Sequence, residues 1–478
     1  MTKRLIARRL GHPVDAPAAY EALFGAASAA FWLDSSDGSG WSYLGSGEPL
    51  AAGPGGVLDA LGEALAATGG PGSVDVSGAP DGMDFRLGWV GRLDYELWLR
   101  TAARHPGGEA APGGAFLAAD RMLALDHGAG RAWLVTFDTA EGIRWLAHAE
   151  SVLAALDAAG PTRPGTSAAP PGTAAIPPAV TWRHSDAVYL SLIERCRTAI
   201  RAGDAYQLCL TNTATVPGDF DPIVVHRRLR SISPAPHAGL IRLGESTLIS
   251  ASPERFLRVT PDGIATTRPI KGTRRRDADD REDRRLRREL VESDKERAEN
   301  LMIVDLMRND LSRVCRLGSV RVTALLQVES YAQVHQLVST VEGRLAEGIT
   351  AVDAVRALFP AGSMTGAPKL RAIEILDVLE GGPRGMYSGA FGYLGVDGAL
   401  DLAMVIRSIV LGPSGATVGA GGGITTLSDP REELEEVRLK SAPLLRALGE
   451  SAGTGATSAT AAITATAAAS ASQPPSTG

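Results

Sequence analysis

The chain has 478 residues, with 48 lysines and arginines against 54 aspartates and glutamates, and its formal net charge is -6. This acidic balance argues against a nucleic-acid-binding protein, because phosphate recognition needs a basic excess, and it favours small-molecule chemistry or a protein partner. The three cysteines lack CxxC spacing, which argues against disulfides and thiolate zinc sites and favours a reducing, cytoplasmic compartment. No apolar run reaches the roughly 20 residues that span a bilayer, so no membrane contact is expected.

Residues 1–160 are predicted to form an N-terminal region of short strands and helices. Its basic start precedes an apolar stretch, 22–33, in the manner of a signal peptide. Asp15 and Glu21 interrupt that pattern, so a core helix and strand are predicted instead. A helix is expected at 57–67, and strands are expected at 30–33, 41–44, 88–90 and 132–137.

Composition divides the remaining chain into three parts. Residues 161–179 are rich in proline, glycine and alanine, which is typical of a surface linker. Residues 180–449 contain the candidate chemistry and are interpreted as the catalytic region. Residues 450–478 are rich in alanine, serine and threonine and are expected to be a disordered tail.

Helices and strands alternate through the catalytic region, which predicts a mixed α/β fold with many antiparallel strands. Helices are expected at 185–202, 222–231, 279–311 and 430–448. Strands are expected at 205–213, 238–243 and 247–251, and in a segment that ends at Lys271.

Lys271 stands in a basic segment, between a proline-stiffened strand and a glycine. A lysine is a nucleophile only when its amine is neutral, and nearby cations such as Arg268 and residues 274–276 favour that form by lowering its pKa. The same pattern also fits an ordinary exposed cation, and spacing alone favours that alternative. Acidic residues at 277–283 largely cancel the basic charge, which argues against a nucleic-acid surface.

Two pairs of glutamates repeat a three-residue spacing that places each pair on one helix face. Glu296 and Glu299 lie on the long predicted helix, and Glu433 and Glu436 lie on the last helix, which Asp429 is expected to cap. If the fold brings the pairs together, their oxygens would suit Mg²⁺. Solvated charged faces are the simpler interpretation, and sequence patterns alone favour them.

Glycine-rich stretches mark two further candidates. Residues 419–423 precede the last helix, and residues 366–369 open another, so exposed backbone amides at either place would suit a carboxylate or phosphate. Arg407 follows an apolar strand and could hold a carboxylate through its planar fork. Tight turns and an ordinary strand-end arginine are the alternatives.

Six segments together resemble the chorismate-utilising enzymes, in the same order and over roughly residues 180–448. This family includes the large subunits of anthranilate synthase and aminodeoxychorismate synthase, and the isochorismate and salicylate synthases. The segments are SPERF (252–256), PIKGTRRR (269–276), DKERAENLMIVDLMRNDL (294–311), FPAGSMTGAPKLRAIEIL (359–376), SGAFGYLG (388–395) and GGGITTLSDPREELEEVRLKS (421–441).

The resemblance implies an α/β fold, of α+β type, in which two large antiparallel sheets face each other and helices lie outside. It implies catalytic roles for Lys271, as a covalent nucleophile at C2 of chorismate, and for Glu254, as the acid that assists departure of the C4 hydroxyl. It implies Mg²⁺ as the cofactor, held by Glu296, Glu299, Glu433 and Glu436. The implied substrate-binding residues are Gln207, Thr273, Thr365, Tyr393, Arg407, Gly421, Gly423 and Lys440.

Three positions bear on which branch of the family the chain resembles. Gln207 stands where isochorismate and salicylate synthases carry a water-activating lysine, so amination is implied instead. Lys271 in PIKGT is typical of aminodeoxychorismate synthases, whereas anthranilate synthases usually read PIAGT. Asn300 and Gln336 replace histidines usual in anthranilate synthases, unless His335 substitutes for one of them. The implied product is 4-amino-4-deoxychorismate, and the alternative is an anthranilate synthase large subunit that releases anthranilate and pyruvate.

Amination needs ammonia, and the sequence contains no credible Cys-His-Glu glutaminase, since Cys209 lies in a hydrophobic strand and Cys315 just beyond a helix. A separate glutamine amidotransferase subunit is therefore the expected partner, in a heterodimer. A non-catalytic chain that keeps the fold is an alternative of another class.

Overall fold

The computed structural model describes residues 3–70, 72–101, 113–158, 180–331 and 334–449. The predicted linker, 161–179, and the predicted tail, 450–478, lie outside the described residues. Within the described ranges, no helix combines the length and the apolar character needed to cross a membrane.

The helices are spread along the whole described chain. They are α1 (Ala16–Phe24), α2 (Val57–Ala67), α3 (Trp98–Thr101), α4 (Ala140–Ala158), α5 (Asp186–Arg201), α6 (Pro222–Ile232), α7 (Asp280–Glu292), α8 (Asp294–Ser312), α9 (Ala351–Leu358), α10 (Lys369–Glu380) and α11 (Pro430–Ala447). Two short 3-10 turns, Tyr95–Leu97 and Gly362–Met364, lie beside them.

The strands run through the whole described chain. They are β1 (Leu5–Arg9), β2 (Ala29–Asp34), β3 (Trp41–Pro49), β4 (Gly88–Leu93), β5 (Gly114–Asp126), β6 (Arg131–Phe137), β7 (Thr181–Trp182), β8 (Gln207–Pro217), β9 (His237–Leu243), β10 (Ser246–Ser252), β11 (Arg255–Val259), β12 (Ile264–Thr267), β13 (Ile270–Arg275), β14 (Arg321–Ser330), β15 (Val334–Arg344), β16 (Gly366–Ala367), β17 (Ala390–Gly395), β18 (Leu400–Met404), β19 (Ser408–Gly412) and β20 (Gly415–Ile424).

The strands form one continuous antiparallel sheet with two arms that meet at β5. The first arm runs β5-β3-β2-β9-β10-β19-β20-β8, and the second runs β5-β4-β17-β18-β11-β12-β15-β14. β5 can join both because β3 lies along one of its edges, while β4 and β6 share the other. Strands from the N-terminal region therefore lie inside both arms, next to strands of the catalytic region.

The two arms face each other across a common hydrophobic core. Tyr43 of β3 and Tyr393 of β17 bring their rings to 6.3 Å, and Phe391 of β17 lies against Gly239 of β9. The outer face of the first arm buries apolar residues of α1, α4, α6 and α11. The predicted α/β fold with two facing antiparallel sheets and outer helices is confirmed, with the two sheets joined as arms of one.

Most predicted elements are confirmed, but the single long helix at 279–311 is wrong. It is two helices, α7 and α8, separated at Ser293, whose backbone is extended at φ -66° and ψ 110°. The Ser293 hydroxyl accepts a hydrogen bond from the Glu296 amide at 3.4 Å, so it starts α8 with a side-chain cap. The break lets α8 run in its own direction against β13 and β15.

The prediction that a strand ends at Lys271 is wrong. Lys271 is the second residue of β13, which is separate from β12. Pro269, which has no N–H to donate, stands between these strands and interrupts their ladder. The predicted cap of the last helix is confirmed, since Asp429 accepts from Arg431 N at 2.8 Å and Glu432 N at 3.1 Å.

Candidate active site

Lys271 projects from β13 into a group of acidic side chains between the arms. The residue is half-buried, and its Nζ donates to the carbonyl oxygen of Ser363 at 3.5 Å. Gly272 follows with φ 92°, and the pairing of β13 with β15 is irregular between Ile270 and Thr273. This local distortion aims the lysine out of the ladder, toward the 3-10 turn Gly362–Met364.

The charge around Lys271 is negative, contrary to the prediction from its basic sequence neighbours. Burial is the largest influence on the pKa of Lys271 and opposes the charge, yet acidic groups raise the pKa above its ordinary value. These groups are Cys209, Glu254, Glu299 and Glu436. The prediction that neighbouring arginines lower the pKa is wrong.

Those arginines bind other carboxylates instead. The pairs are Arg268 with Glu329, Arg274 with Glu289 and Glu296, Arg275 with Asp277, and Arg276 with Asp283. Their charge is therefore largely neutralised locally, and the lysine responds to the carboxylates in front of it.

Glu254 lies between β10 and β11 and is 7% exposed. Its carbonyl accepts from Met404 N at 2.9 Å, which fixes the backbone. Burial raises the pKa of Glu254 above its usual value, against the opposing effects of Lys271 and the Ser363 hydroxyl. Ser363 thus contacts both predicted catalytic groups, and burial shifts the pKa of Glu254 in the direction that suits a general acid.

The predicted metal ligands lie on α8 and α11, near each other and near the glycine run. Glu299 is 8% exposed, and burial raises its pKa, with Glu296 and Glu433 adding to the increase and Lys271 and Lys295 opposing it. A Cβ at Gly422 would lie 2.9 Å from Glu433 Oε2 and 4.0 Å from Glu436 Oε2, so glycine leaves room for these carboxylates.

Three of these glutamates contact basic side chains. The pairs are Glu296 with Arg274 at 3.3 Å, Glu433 with Lys295 at 3.4 Å, and Glu436 with Lys440 at 2.6 Å. As the side chains stand, no group of three or more histidine, cysteine or acidic residues within the described ranges is arranged to hold a metal ion. The oxygen-only donors and their excess of buried negative charge nevertheless fit a hard divalent cation chemically.

The side chain of Gln207 on β8 occupies space that is open only because residue 423 on the neighbouring strand β20 is a glycine. Gln207 is 1% exposed, and a Cβ at Gly423 would overlap its Nε2. Its Oε1 has no hydrogen-bond partner within the described part of the chain. An unsatisfied buried carbonyl is costly, so this amide is a candidate for contact with a ligand.

Thr365, Gly421 and Lys440 join the same group, whereas Thr273 stands at its edge. Thr365 carbonyl accepts from Cys209 N at 2.8 Å and holds its loop on β8. Lys440 Nζ donates to the Gly421 carbonyl at 2.7 Å. Thr273 is exposed on β13, opposite Gln336.

Arg407 presents an open guanidinium to the group. Its φ of 51° is unusual for a residue with a side chain, and its carbonyl accepts from Ala251 N at 3.1 Å. Burial lowers the pKa of Arg407 below its usual value, although Tyr387 and Glu436 act in the opposite direction. No side-chain hydrogen bond or ion pair to Arg407 occurs among the described residues.

The structure places Tyr393 elsewhere, whereas Tyr387 is close enough to Arg407 to act on its pKa. The Tyr393 ring packs on Phe85 at 4.6 Å and lines a second cavity of about 480 Å³. Tyr387 is 8% exposed and lies over Gly419, where a Cβ would overlap its ring. Sequence reasoning missed Tyr387, and the only available signal was that Gly419, in the glycine run, must leave space for a large side chain.

His335 does not face the Lys271 group. Its Nδ1 lies 2.8 Å from Ser330 Oγ on β14 and its Nε2 lies 3.0 Å from Asp283 Oδ1 on α7, so both ring nitrogens already have partners. Asn300 is fully buried and its amide donates to the Leu337 carbonyl at 3.3 Å. His335 is therefore not placed to substitute for a histidine at these positions.

The chain is similar in sequence to two curated aminodeoxychorismate synthases. The protein from Streptomyces pristinaespiralis is 43% identical over 488 residues, which cover 95% of this chain and 66% of that protein. The protein from Streptomyces griseus is 43% identical over 469 residues, which cover 93% of this chain and 64% of that protein. The chain thus spans slightly less than two thirds of either relative.

A solved structure and a family match extend this similarity. Anthranilate synthase component I from Streptococcus pneumoniae TIGR4 superposes with a TM-score of 0.70 at 28% identity, covering 85% of this chain and 92% of that chain. Residues 58–446, most of the chain, match the family described as chorismate binding enzyme. With its facing arms and a buried acidic site between them, the chain belongs to the chorismate binding enzyme family.

Proposed function

We propose that this chain converts chorismate and ammonia into 4-amino-4-deoxychorismate, as the synthase component of an aminodeoxychorismate synthase. The observation that carries the proposal is the arrangement of Lys271 and Glu254 around Ser363, which sets a candidate nucleophile beside a buried carboxyl group whose pKa is raised. The 43% identity to two aminodeoxychorismate synthases supports the same reaction.

The substrate-binding part of the proposal rests on side-chain groups that have no partner among the described residues. Chorismate carries two carboxylates, and the open fork of Arg407 suits one of them. Tyr387 lies beside that arginine and would add a hydroxyl contact. The free Oε1 of Gln207 would accept a hydrogen bond from the substrate.

Mg²⁺ is the proposed cofactor, with Glu296, Glu299, Glu433 and Glu436 as the residues that would hold it. When bound, the ion would neutralise these carboxylates, orient the ring carboxylate of chorismate and withdraw charge from the ring. Gly422 leaves the space that Glu433 and Glu436 need.

The proposed chemistry at C2 and C4 uses both catalytic side chains. Lys271 first gives a proton to a neighbouring carboxylate, because the acidic groups around it favour the charged amine. The neutral Nζ then forms a bond to C2, the two conjugated ring double bonds shift around the ring toward C4, and the C4–oxygen bond breaks while Glu254 gives its proton to the departing hydroxyl, which leaves as water. Ammonia then bonds to C4, both double bonds shift back, and the lysine nitrogen leaves C2 and takes back its proton from the carboxylate. Glu254 regains its proton from the solvent. Two steps with a covalent intermediate replace one difficult displacement.

Ammonia is proposed to come from glutamine through a separate amidotransferase subunit, in the cytoplasm. The cysteines of this chain support that assignment. Burial raises the pKa of Cys196 to about 12 and that of Cys315 to about 11. Burial likewise raises the pKa of Cys209, so none of the three is an activated thiol of a glutaminase.

Product identity is the decisive experiment. The protein is incubated with chorismate, Mg²⁺ and ammonium, and the products are separated with and without a lyase that converts 4-amino-4-deoxychorismate into p-aminobenzoate. We expect p-aminobenzoate only when the lyase is present. Fluorescent anthranilate with pyruvate release would contradict the proposal and support the anthranilate synthase alternative.

A further inference from the structure

The most deeply buried ion pair among the described residues lies directly behind the candidate active site. Arg384 and Glu380 have side chains that are 1% and 3% exposed. Arg384 Nε and Nη2 donate to the two carboxylate oxygens of Glu380 at 2.8 and 2.7 Å. A buried pair of this kind is tolerated only when its remaining hydrogen-bonding groups also find partners.

The other N–H groups of Arg384 reach three segments that carry active-site groups. Nη1 donates to the Met364 carbonyl at 2.7 Å and to the Ser388 hydroxyl at 3.3 Å, and Nη2 also donates to the Cys209 carbonyl at 2.9 Å. With the two bonds to Glu380, these contacts use all five donors of the guanidinium. Glu380 in turn accepts from Thr211 N at 2.9 Å.

The residues that accept from Arg384 belong to segments of the candidate site or lie one residue away from a site residue. Met364 follows Ser363, which contacts Lys271, and Ser388 follows Tyr387. Cys209 is one of the groups that act on the pKa of Lys271. Arg384 donates no hydrogen bond to the groups proposed to contact chorismate, yet it holds the segments that bear them.

The N-terminal region closes the remaining sides of the pair. The Tyr95 ring centre lies 4.3 Å from the guanidinium carbon of Arg384. Glu96 accepts from the backbone N–H groups of Arg384 at 2.7 Å and Gly385 at 3.1 Å. The guanidinium is therefore held in plane by a ring on its face and by acceptors on its edge.

We propose that Arg384, paired with Glu380, is the positioning residue of this active site: its five donors lock the turn at Ser363, the strand at Cys209 and the segment of Tyr387 into the geometry that the reaction requires. A lysine cannot reproduce this because it offers a point charge rather than a planar fork. This inference rests on the proposed function, because the reaction for which Arg384 positions the side chains is the proposed amination of chorismate.

The test compares Arg384→Lys with a matched control, Arg86→Lys. Arg86 pairs with buried Asp397 at 3.1 Å, away from the Lys271 group. Because misplacement of reacting groups by about 1 Å costs on the order of 100-fold in rate, we expect kcat of Arg384→Lys to fall about 100-fold while KM for chorismate changes less than about 3-fold. The control should keep kcat within about 2-fold. Turnover is measured as chorismate consumption, which does not depend on the product. An unexpected product would therefore contradict the proposed function, while the rates of Arg384→Lys and Arg86→Lys could still be compared.

A second, less disruptive variant keeps the test informative if Arg384→Lys does not fold. Ser388→Ala removes one acceptor and leaves the ion pair intact, and we expect it to lower kcat about 5-fold. A readout independent of turnover is the rate at which trinitrobenzenesulfonate labels Lys271, mapped by mass spectrometry. We expect a changed labelling rate in both variants and not in the control. Lower melting temperatures with unchanged kcat and unchanged labelling would show a purely structural pair and overturn the proposal.

Discussion

Two charged regions lie between the arms of the sheet, and they differ in how their charges are paired. Around Tyr393, the charges are internally matched. Arg255 binds both carboxylate oxygens of Asp401 at 2.9 and 3.0 Å, and Glu329 binds both Arg268 and the Tyr331 hydroxyl. Such complete pairing is what a region needs when its polar groups serve the fold.

Around Lys271, several groups remain unmatched. Acidic side chains crowd one lysine, Gln207 Oε1 has no partner within the described ranges, and the Arg407 guanidinium donates to no carboxylate there. Each unsatisfied buried group costs roughly 1–3 kcal/mol of stability. A fold that retains several of them in one place is typical of a ligand site, so substitutions there should cost activity more than stability.

The largest expected effect is at Lys271. Lys271→Ala should reduce amination of chorismate at least about 1,000-fold, because the covalent route is lost, while the fold is kept. Lys271→Arg supplies the matched comparison, since it keeps the positive charge that the carboxylates favour but removes the nucleophile. Both should be inactive in the ammonia-dependent assay. Near-normal turnover in either variant would reduce the lysine to a helper role.

The next effect concerns the proposed metal site. Glu436→Gln should lower turnover about 100-fold at limiting Mg²⁺, with partial recovery as Mg²⁺ is raised, because one of four oxygen ligands becomes neutral. Glu435→Gln is the control, since Glu435 is an exposed neighbour on α11 that pairs only with Arg438, at 3.4 Å, among the described residues. Activity is measured against free Mg²⁺ after treatment with a chelator. Equal Mg²⁺ dependence in both variants would argue for an idle site.

Removing the hydroxyl from one tyrosine in each region tests the contrast between the Lys271 region and the Tyr393 region. Tyr387→Phe should raise KM for chorismate about 10-fold, because it removes a hydroxyl beside Arg407. Tyr393→Phe should change KM less than about 2-fold, because its ring packs on Phe85 in the second cavity. Steady-state kinetics on both variants decide the matter. The reverse order of effects would restore Tyr393 to the substrate site.

The sequence predicted the elements well and the charge environment poorly, for a physical reason. Strand alternation and helix caps are local, so the outlines of α11 and β9 follow from nearby residues. The field at Lys271 is set by β8, α8 and α11, whose residues are distant in the chain, and the arginines beside it are neutralised by their own partners. Local basic character was therefore the wrong guide to the pKa.

The break at Ser293 and the position of Tyr393 outside the Lys271 group have similar causes. Ser293 sits in a charged run that reads as continuous helix, and only its capping hydroxyl ends one helix and begins the next. Tyr393 lies within the motif, on β17, whereas Tyr387 precedes the motif, and the pairing of β17 with β4 and β18 accompanies the packing of Tyr393 on Phe85. Such long-range pairing cannot be read from the motif alone.

The smallest expected effect is on stability at Glu254. Because burial raises the folded-state pKa of Glu254, wild-type stability from this group is fully present below the unfolded pKa of about 4.3 and is lost as pH rises through the raised folded pKa. Glu254→Gln does not titrate. Its melting temperature relative to wild type should therefore increase from pH 4 to pH 8, by about 2 °C for roughly 1 kcal/mol.

The same variant should lose amination, since glutamine cannot give a proton to the departing hydroxyl. Calorimetric melting curves across this pH range, with turnover measured in parallel, check both halves. A melting-temperature difference that stays constant or shrinks with pH would mean that Glu254 folds as a stable carboxylate. Another group would then have to supply the proton. Glu254 would no longer support the contrast between the paired region around Tyr393 and the unpaired region around Lys271.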